Sequence, residues 1–207
     1  MGFDEAMRAA AKIADKAVMT AMEKYAATQV TDEDDLTGVL IGRLDAAFDD
    51  QIGGIQWSSS ILRHRKGVAA EEQHIGADMI IHVALKTPIQ SYSKAVLVQA
   101  KRHEPGDLMS TEEQKALQGQ CTKMLKISPA AFVFDYAKSD MRCGSASKIV
   151  GSTNKNLYAA CNWTSYRFFL ELFRSPIGDP NLTSALVRDL PVPTVIALKG
   201  SGDLVEE

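Results

Sequence analysis

No run of apolar residues in this 207-residue chain approaches the roughly 20 that a membrane-spanning helix needs, so no membrane segment is expected. The opening stretch, MGFDEAMRAAAKIADKAVM, lacks a basic region followed by an uninterrupted apolar one, so no secretory leader is expected either. Cysteine is scarce. Cys121, Cys143 and Cys161 are widely spaced, odd in number and form no C-x-x-C pair. That excludes a disulfide framework and a zinc knuckle, and three reduced thiols in a cytoplasmic protein are the expectation. An excess of base is also missing: 23 Lys and Arg stand against 26 Asp and Glu, a net charge of −3. This argues against a protein that coats nucleic acid with a uniformly basic surface. Internal repeats and low-complexity tracts are absent.

What is present is an ordinary globular composition, 45% hydrophobic and 24% charged, in a length that suits one domain with a full core. The charge is unevenly spread. Residues 1–50 hold 5 bases and 11 acids, whereas residues 61–103 hold 7 bases and 3 acids. The mild acidity therefore belongs to the N-terminal part, and the middle of the chain is basic.

Phe3, Met7, Ala10, Ala14, Val18, Met22 and Tyr25 recur at helical spacing and predict a long helix over 3–27 with a thin apolar stripe. Residues 1–30 read as an N-terminal helical arm that packs against the domain or a second subunit. The acids of 32–35 mark the start of a second helix, since carboxylates favour the positive end of the helix dipole. Leu36, Leu40, Leu44 and Phe48 form its inner face. Glu33, three residues before Leu36 and seven before Leu40, points to that same side, whereas Asp34 and Asp35 point away. Gly53-Gly54 end the helix. Strands are expected over 55–62, 76–85 and 94–102, the second with the apolar content of a central strand. Ser110 and Glu113 fit a capping box that starts a helix reaching about Lys126, and 129–136 reads as a fourth strand. Residues 138–156 read as a long loop, 156–173 as a helix, 183–190 as a short helix and 193–199 as a last strand. From residue 31 the order is helix, strand, strand, strand, helix, strand: an α/β domain over 31–200 with a mixed central sheet flanked by helices.

The residues that point to chemistry are Asp78, Gln99 and Lys101. Period 2 sets Gln99 and Lys101 on one face of their strand, and a hairpin through 87–92 brings the end of that strand beside the start of the one that holds Asp78. A carboxylate, an amide oxygen and the Ala100 backbone carbonyl form a hard, all-oxygen donor set, which suits Mg²⁺ or Mn²⁺ and not zinc. Lys101 beside it can orient a water and offset developing phosphate charge, and Glu33 can add a further oxygen.

Asp78 in GADMII, Gln99-Ala100-Lys101 in VLVQAKR and the order of elements resemble the PD-(D/E)xK nuclease superfamily over about residues 31–136. The Q-x-K form is similar to the variant in Mrr-type restriction endonucleases, and the segment resembles bacterial defence-associated nucleases. The resemblance implies a restriction-endonuclease-like core (αβββαβ) with an extra N-terminal helix and C-terminal helices. It implies Asp78 as metal carboxylate, Gln99 as neutral metal ligand, Lys101 as catalytic lysine and Glu33 as the acidic residue of the first core helix. The activity implied is Mg²⁺-dependent endonucleolytic hydrolysis of nucleic acid, DNA before RNA, in restriction or anti-phage defence. A homodimer or a partner defence protein would supply targeting. Two departures stand out: no Pro precedes Asp78, and Gln99 lowers the negative charge of the site.

Plainer readings accompany each residue. Asp78, Gln99 and Lys101 are alternatively polar strand ends facing solvent, although Gln99 directly follows the apolar run 95–98. Glu33 is alternatively a first-turn acid placed for the helix dipole. Glu72 is the runner-up extra carboxylate for the metal, with Glu71 behind it, and both are alternatively solvated loop acids. Arg63, His64, Arg65, Lys66, Arg102 and His103 are candidate phosphate contacts in a basic stretch that solvent alone can explain. His82 reads as a structural histidine, and Gln120 as a half-exposed helix residue within reach of the site. Tyr136 reads as a hydroxyl at a sheet edge, and Trp163, Phe168 and Phe169 as core. The competing functional class is a non-catalytic, nuclease-like module that docks nucleic acid or a partner protein.

Overall fold

The structure is a computed structural model that describes residues 2–63 and 75–204. Along these residues run α1 (Phe3–Ala26), α2 (Glu33–Ala47), β1 (Gln51–Ile52), β2 (Ile55–Arg63), β3 (Met79–Lys86) and β4 (Ser91–Arg102). Then follow α3 (Thr111–Ile127), β5 (Ala131–Tyr136), β6 (Met141–Ser145), α4 (Ala146–Val150), α5 (Leu157–Ala160) and β7 (Trp163–Thr164). The chain continues through α6 (Ser165–Arg174), α7 (Ser184–Asp189) and β8 (Thr194–Ser201). The strands form one eight-stranded mixed sheet in the order β1-β2-β8-β3-β4-β5-β6-β7. The expected α/β class, a mixed sheet flanked by helices, is the observed one.

Period 2 divides the sheet's side chains between two apolar layers. Val96, Val98, Ala100, Phe132, Phe134 and Tyr136 face a layer built with α1, α2 and α6. Ala95, Leu97, Ala131 and Val133 face a second layer built with α3, α4, α5 and α7. Strands buried on both faces must be apolar at nearly every position, which is why β3 reads as a continuous run. Each Leu, Ile or Phe taken into these layers contributes about 1.5–3 kcal/mol of transfer free energy. In the first layer Phe48, Trp57 and Phe173 meet with ring centroids 5.1–5.5 Å apart. Phe168 packs edge-on against Phe134 at 4.8 Å. Phe168 and Phe169 are thus core, and Trp163, partly buried, packs at the edge of the same layer against Phe132.

Helix α1 buries a wider face than its aliphatic stripe suggests. Six of its ten buried residues are alanine, which lets α1 lie close against α6 and α2. Asp15 accepts from Ser165 Oγ, and Asp4 pairs with Arg174, so polar contacts also fix α1 to α6.

Three local expectations differ from the structure. Strand β3 begins at Met79, so Asp78 stands just ahead of it, although its N–H still donates to Val98 O at 2.9 Å. Residues 138–156 are not one loop: β6 pairs antiparallel with β5, and α4 follows directly. Their apolar signal is too short for periodicity, since β6 buries only Met141, Cys143 and Gly144. The helix expected over 156–173 is broken into α5, β7 and α6, because the Thr164 side chain caps α6 by accepting from Arg167 N at 3.2 Å. The C-terminal strand β8 inserts between β2 and β3, antiparallel to the first and parallel to the second.

The topology that matters for function is local. β3 and β4 form the expected antiparallel hairpin, with Met79 opposite Val98. β4 and β5 run parallel, with Lys101 opposite Asp135. The carboxyl ends of β4 and β5 lie between the start of α2 on one face and α3 on the other.

Candidate functional site

The N-cap Asp32 starts α2 by accepting from Asp34 N, and the first turn then presents Glu33 at the sheet end. The capping box of Ser110 and Glu113 starts α3 on the opposite face, with both reciprocal hydrogen bonds formed. Gly76 brings the approach to β3 against α3. It has φ +76°, and a Cβ there would stand 2.5 Å from the Gln120 carbonyl oxygen. Only glycine accepts both that backbone and that contact.

Asp78 Oδ2 accepts from the Ala100 N–H at 2.6 Å and from Gln99 Nε2 at 2.5 Å. Gln99 Nε2 also donates to the Ala100 carbonyl at 3.0 Å. A carboxylate, an amide and a backbone carbonyl therefore converge, as the hairpin argument requires. Gln99 is 2% exposed, and its Oε1 is buried without a hydrogen-bond partner. A buried acceptor without a donor is costly, by about 1–3 kcal/mol. Half a turn of the amide offers that oxygen to the same point as Asp78 Oδ2 and Ala100 O. The donor set is then all oxygen, so the residues present fit a hard divalent cation. Among the described residues no group of three or more His, Cys, Asp or Glu side chains is arranged to hold a metal, as follows when two of the donors are an amide and a main-chain carbonyl.

Lys101, two residues on and on the same strand face, pairs its Nζ with Glu33 Oε1 at 3.2 Å. Both line a cavity of about 320 Å³ together with Arg102, His103, Glu113 and Gln120. The inward direction read for Glu33 is thus explained by Lys101. His103 and Gln120 stand in the cavity wall. Arg102 is directed elsewhere: it donates to the Thr31 carbonyl and lies over the Tyr25 ring at 5.6 Å. Gln118 Nε2 donates to Ser152 O at 2.9 Å, outside the cavity. Arg63 is exposed at the end of β2. Glu71, Glu72, His64, Arg65 and Lys66 lie outside the described residues.

Asp135 is a site residue to which neither motif nor spacing points. It is fully buried, and its Oδ1 is 3.0 Å from His103 Nδ1, while Oδ2 has no partner. The hydrogen bond to Asp135 raises the His103 imidazole above its ordinary value. Burial raises the Asp135 carboxyl, and His103 pulls it back. The available signal was a lone carboxylate inside the apolar run FVFDY. Two other polar groups are structural. His82 is buried, with Nε2 2.9 Å from Ser93 Oγ, and Tyr136 is buried, with its hydroxyl 3.1 Å from Thr37 Oγ1.

Cys121, Cys143 and Cys161 are free and buried. No helix among the described residues is long and apolar enough to cross a membrane. Compared with protein-family models and with curated proteins, the chain matches none.

Proposed function

We propose that the protein is a metal-dependent endonuclease with a restriction-endonuclease-like core, acting on nucleic acid, DNA before RNA, in restriction or anti-phage defence. The observation that carries this reading is the convergence of Asp78 Oδ2, the Gln99 amide and the Ala100 carbonyl within 2.5–3.0 Å, beside Lys101 on the same strand face. Asp78, Gln99, Ala100 through its carbonyl, and Glu33 are the residues that would hold Mg²⁺ or Mn²⁺. Such an ion polarises a phosphoryl oxygen and lowers the pKa of a bound water.

The chain's own part is then positional and electrostatic. Asp78 fixes the end of β4 by accepting from the Ala100 N–H, which sets the Ala100 carbonyl and the Gln99 side chain. Lys101 orients the attacking water and offsets charge on the phosphoryl group, an effect worth about 10²–10³ in rate for a single well-aimed donor. Glu33 holds Lys101 in place until substrate arrives.

The test is a divalent-dependent cleavage assay on duplex and single-stranded DNA and on RNA. Mg²⁺- or Mn²⁺-dependent cutting that Asp78→Ala and Lys101→Ala abolish supports the reading. Equal cutting by either variant contradicts the assignment.

The neutral Gln99 favours a second reading, a nuclease-like module that binds nucleic acid or a partner without cutting it. Calorimetry separates the two, since a binding module takes up no Mg²⁺ or Mn²⁺ in an Asp78-dependent way.

A further inference from the structure

We infer that His103, oriented by Asp135, is a further catalytic residue of this site and protonates the oxygen that leaves phosphorus. The inference rests on the nuclease reading and adds to it the acid that reading lacks.

Three observations carry it. First, a carboxylate at 0% exposure needs a reason, because burial disfavours its charge, and Asp135 has one hydrogen-bonded oxygen and one orphan. Its partner at 3.0 Å is the His103 ring. Second, that contact occupies Nδ1 and so fixes which nitrogen is left over. Nε2 has no partner among the described residues, and His103 lines the cavity that also holds Lys101 and Glu33. A buried carboxylate that orients an imidazole and leaves its far nitrogen at a reaction cavity is the arrangement that proton transfer uses. Third, His103 follows Lys101 by two residues where β4 leaves the sheet, about one strand repeat, or roughly 7 Å, further on. A phosphodiester oriented by Lys101 therefore has its leaving side within reach of a group on the same edge.

The charged groups around the ring suit a proton donor. Asp135 faces it from β5, Glu113 from α3, Asp107 from the preceding loop and Glu33 from α2, while Lys101 and Arg102 flank it on β4. Of these, Asp135, Glu113 and Asp107 favour the imidazolium.

In the step, the water oxygen bonds to phosphorus as the bond from phosphorus to the leaving oxygen breaks. The electron pair of that bond stays on the leaving oxygen, which takes the proton from His103 Nε2. The attacking water releases one proton to solvent, and His103 regains one from solvent.

The experiment maps a linkage that wild type cuts in a short oligonucleotide, then replaces its leaving oxygen by sulfur. A thiolate leaves without protonation. With Mg²⁺ or Mn²⁺, His103→Ala and His103→Gln are expected to cut the oxygen linkage about 10²–10⁴-fold more slowly than wild type and the sulfur linkage within a factor of about two of it. Asp135→Asn is expected to show a smaller loss of the same kind. Independently of activity, the His103 ring in the metal-free protein is expected to titrate above its ordinary value by NMR and to fall back in Asp135→Asn. Equal losses on both linkages, no loss on either, or a His103 ring that titrates at its ordinary value in wild type would overturn the assignment while leaving the nuclease reading intact. Wild type that cuts neither linkage with either metal would overturn both.

Discussion

Asp78 and Gln99, 21 residues apart in the chain, meet at 2.5 Å where β4 runs out of the sheet, and the same Asp78 oxygen caps the Ala100 N–H at 2.6 Å. One carboxylate thus serves the fold and the proposed chemistry together, and the two can be separated. Asp78→Ala leaves a buried amide hydrogen without an acceptor and is expected to cost about 1–3 kcal/mol. Asp78→Asn keeps a carbonyl acceptor and is expected to cost less, yet to lose divalent-ion uptake equally. Urea unfolding and Mg²⁺ calorimetry on both variants check this. Asn that retains full ion uptake contradicts the carboxylate's role.

The Glu33–Lys101 pair is partly open, with side chains 31% and 24% exposed. Solvent screens such a pair, so a double-mutant cycle with Glu33→Gln and Lys101→Met is expected to give a coupling of only about 0.5–1 kcal/mol in unfolding experiments. The cleavage rate is expected to respond far more strongly to the Lys101 change than stability does. A coupling well above this range would make the pair a structural clasp instead.

Gly76 and Gly106 both have positive φ, +76° and +99°, but only Gly76 has a neighbour in the way. Gly106→Ala is expected to cost about 1–2 kcal/mol for the backbone alone. Gly76→Ala is expected to cost more and to slow cleavage, because α3 and the approach to Asp78 must move apart. Equal unfolding midpoints for the two variants would contradict the close approach.

Lys94 supplies a test of pH dependence. It is 2% exposed, donates to Ile177 O at 2.6 Å, and burial brings its amine down to about 7 from an ordinary 10.5. Between those values the unfolded chain holds a proton that the folded chain does not. Stability from this group therefore rises with pH, by up to about 1.4 kcal/mol per unit, and is lost as pH falls through about 7. Lys94→Met lacks this slope. The buried thiols, raised by burial and Cys121 to about 12, act in the opposite sense but equally in both proteins. Urea unfolding of both proteins between about pH 7 and 9 is expected to show wild type gaining on the variant as pH rises. Parallel curves would contradict it.

These residues also show what local pattern conveys. The period-2 placement of Gln99 and Lys101 at the end of an apolar run and the short connection after Lys86 are local, so the convergence of Asp78 with Gln99 was legible. The direction of Glu33 followed from its spacing to Leu36 and Leu40, but its pairing with Lys101 was not legible, because it joins the start of a helix to the end of a strand 68 residues on. The insertion of β8 between β2 and β3 was not legible, since residues 194–201 show that they form a strand but not which edge they join. Asp135 was hidden because an apolar run conceals a single carboxylate until a partner from another strand explains it. Residues 141–150 were missed because a five-residue strand and a five-residue helix are too short to show a period.

Whether the Asp78–Gln99–Ala100 cluster is a cation site is tested most directly by a crystal soaked in Mn²⁺. An anomalous peak is expected at about 2.1 Å from an Asp78 oxygen, Gln99 Oε1 and the Ala100 carbonyl, with Gln99 turned so that its orphan oxygen faces the ion. Gln99 Nε2 still bridging Asp78 and Ala100 at saturating Mn²⁺, with no peak there, would contradict it.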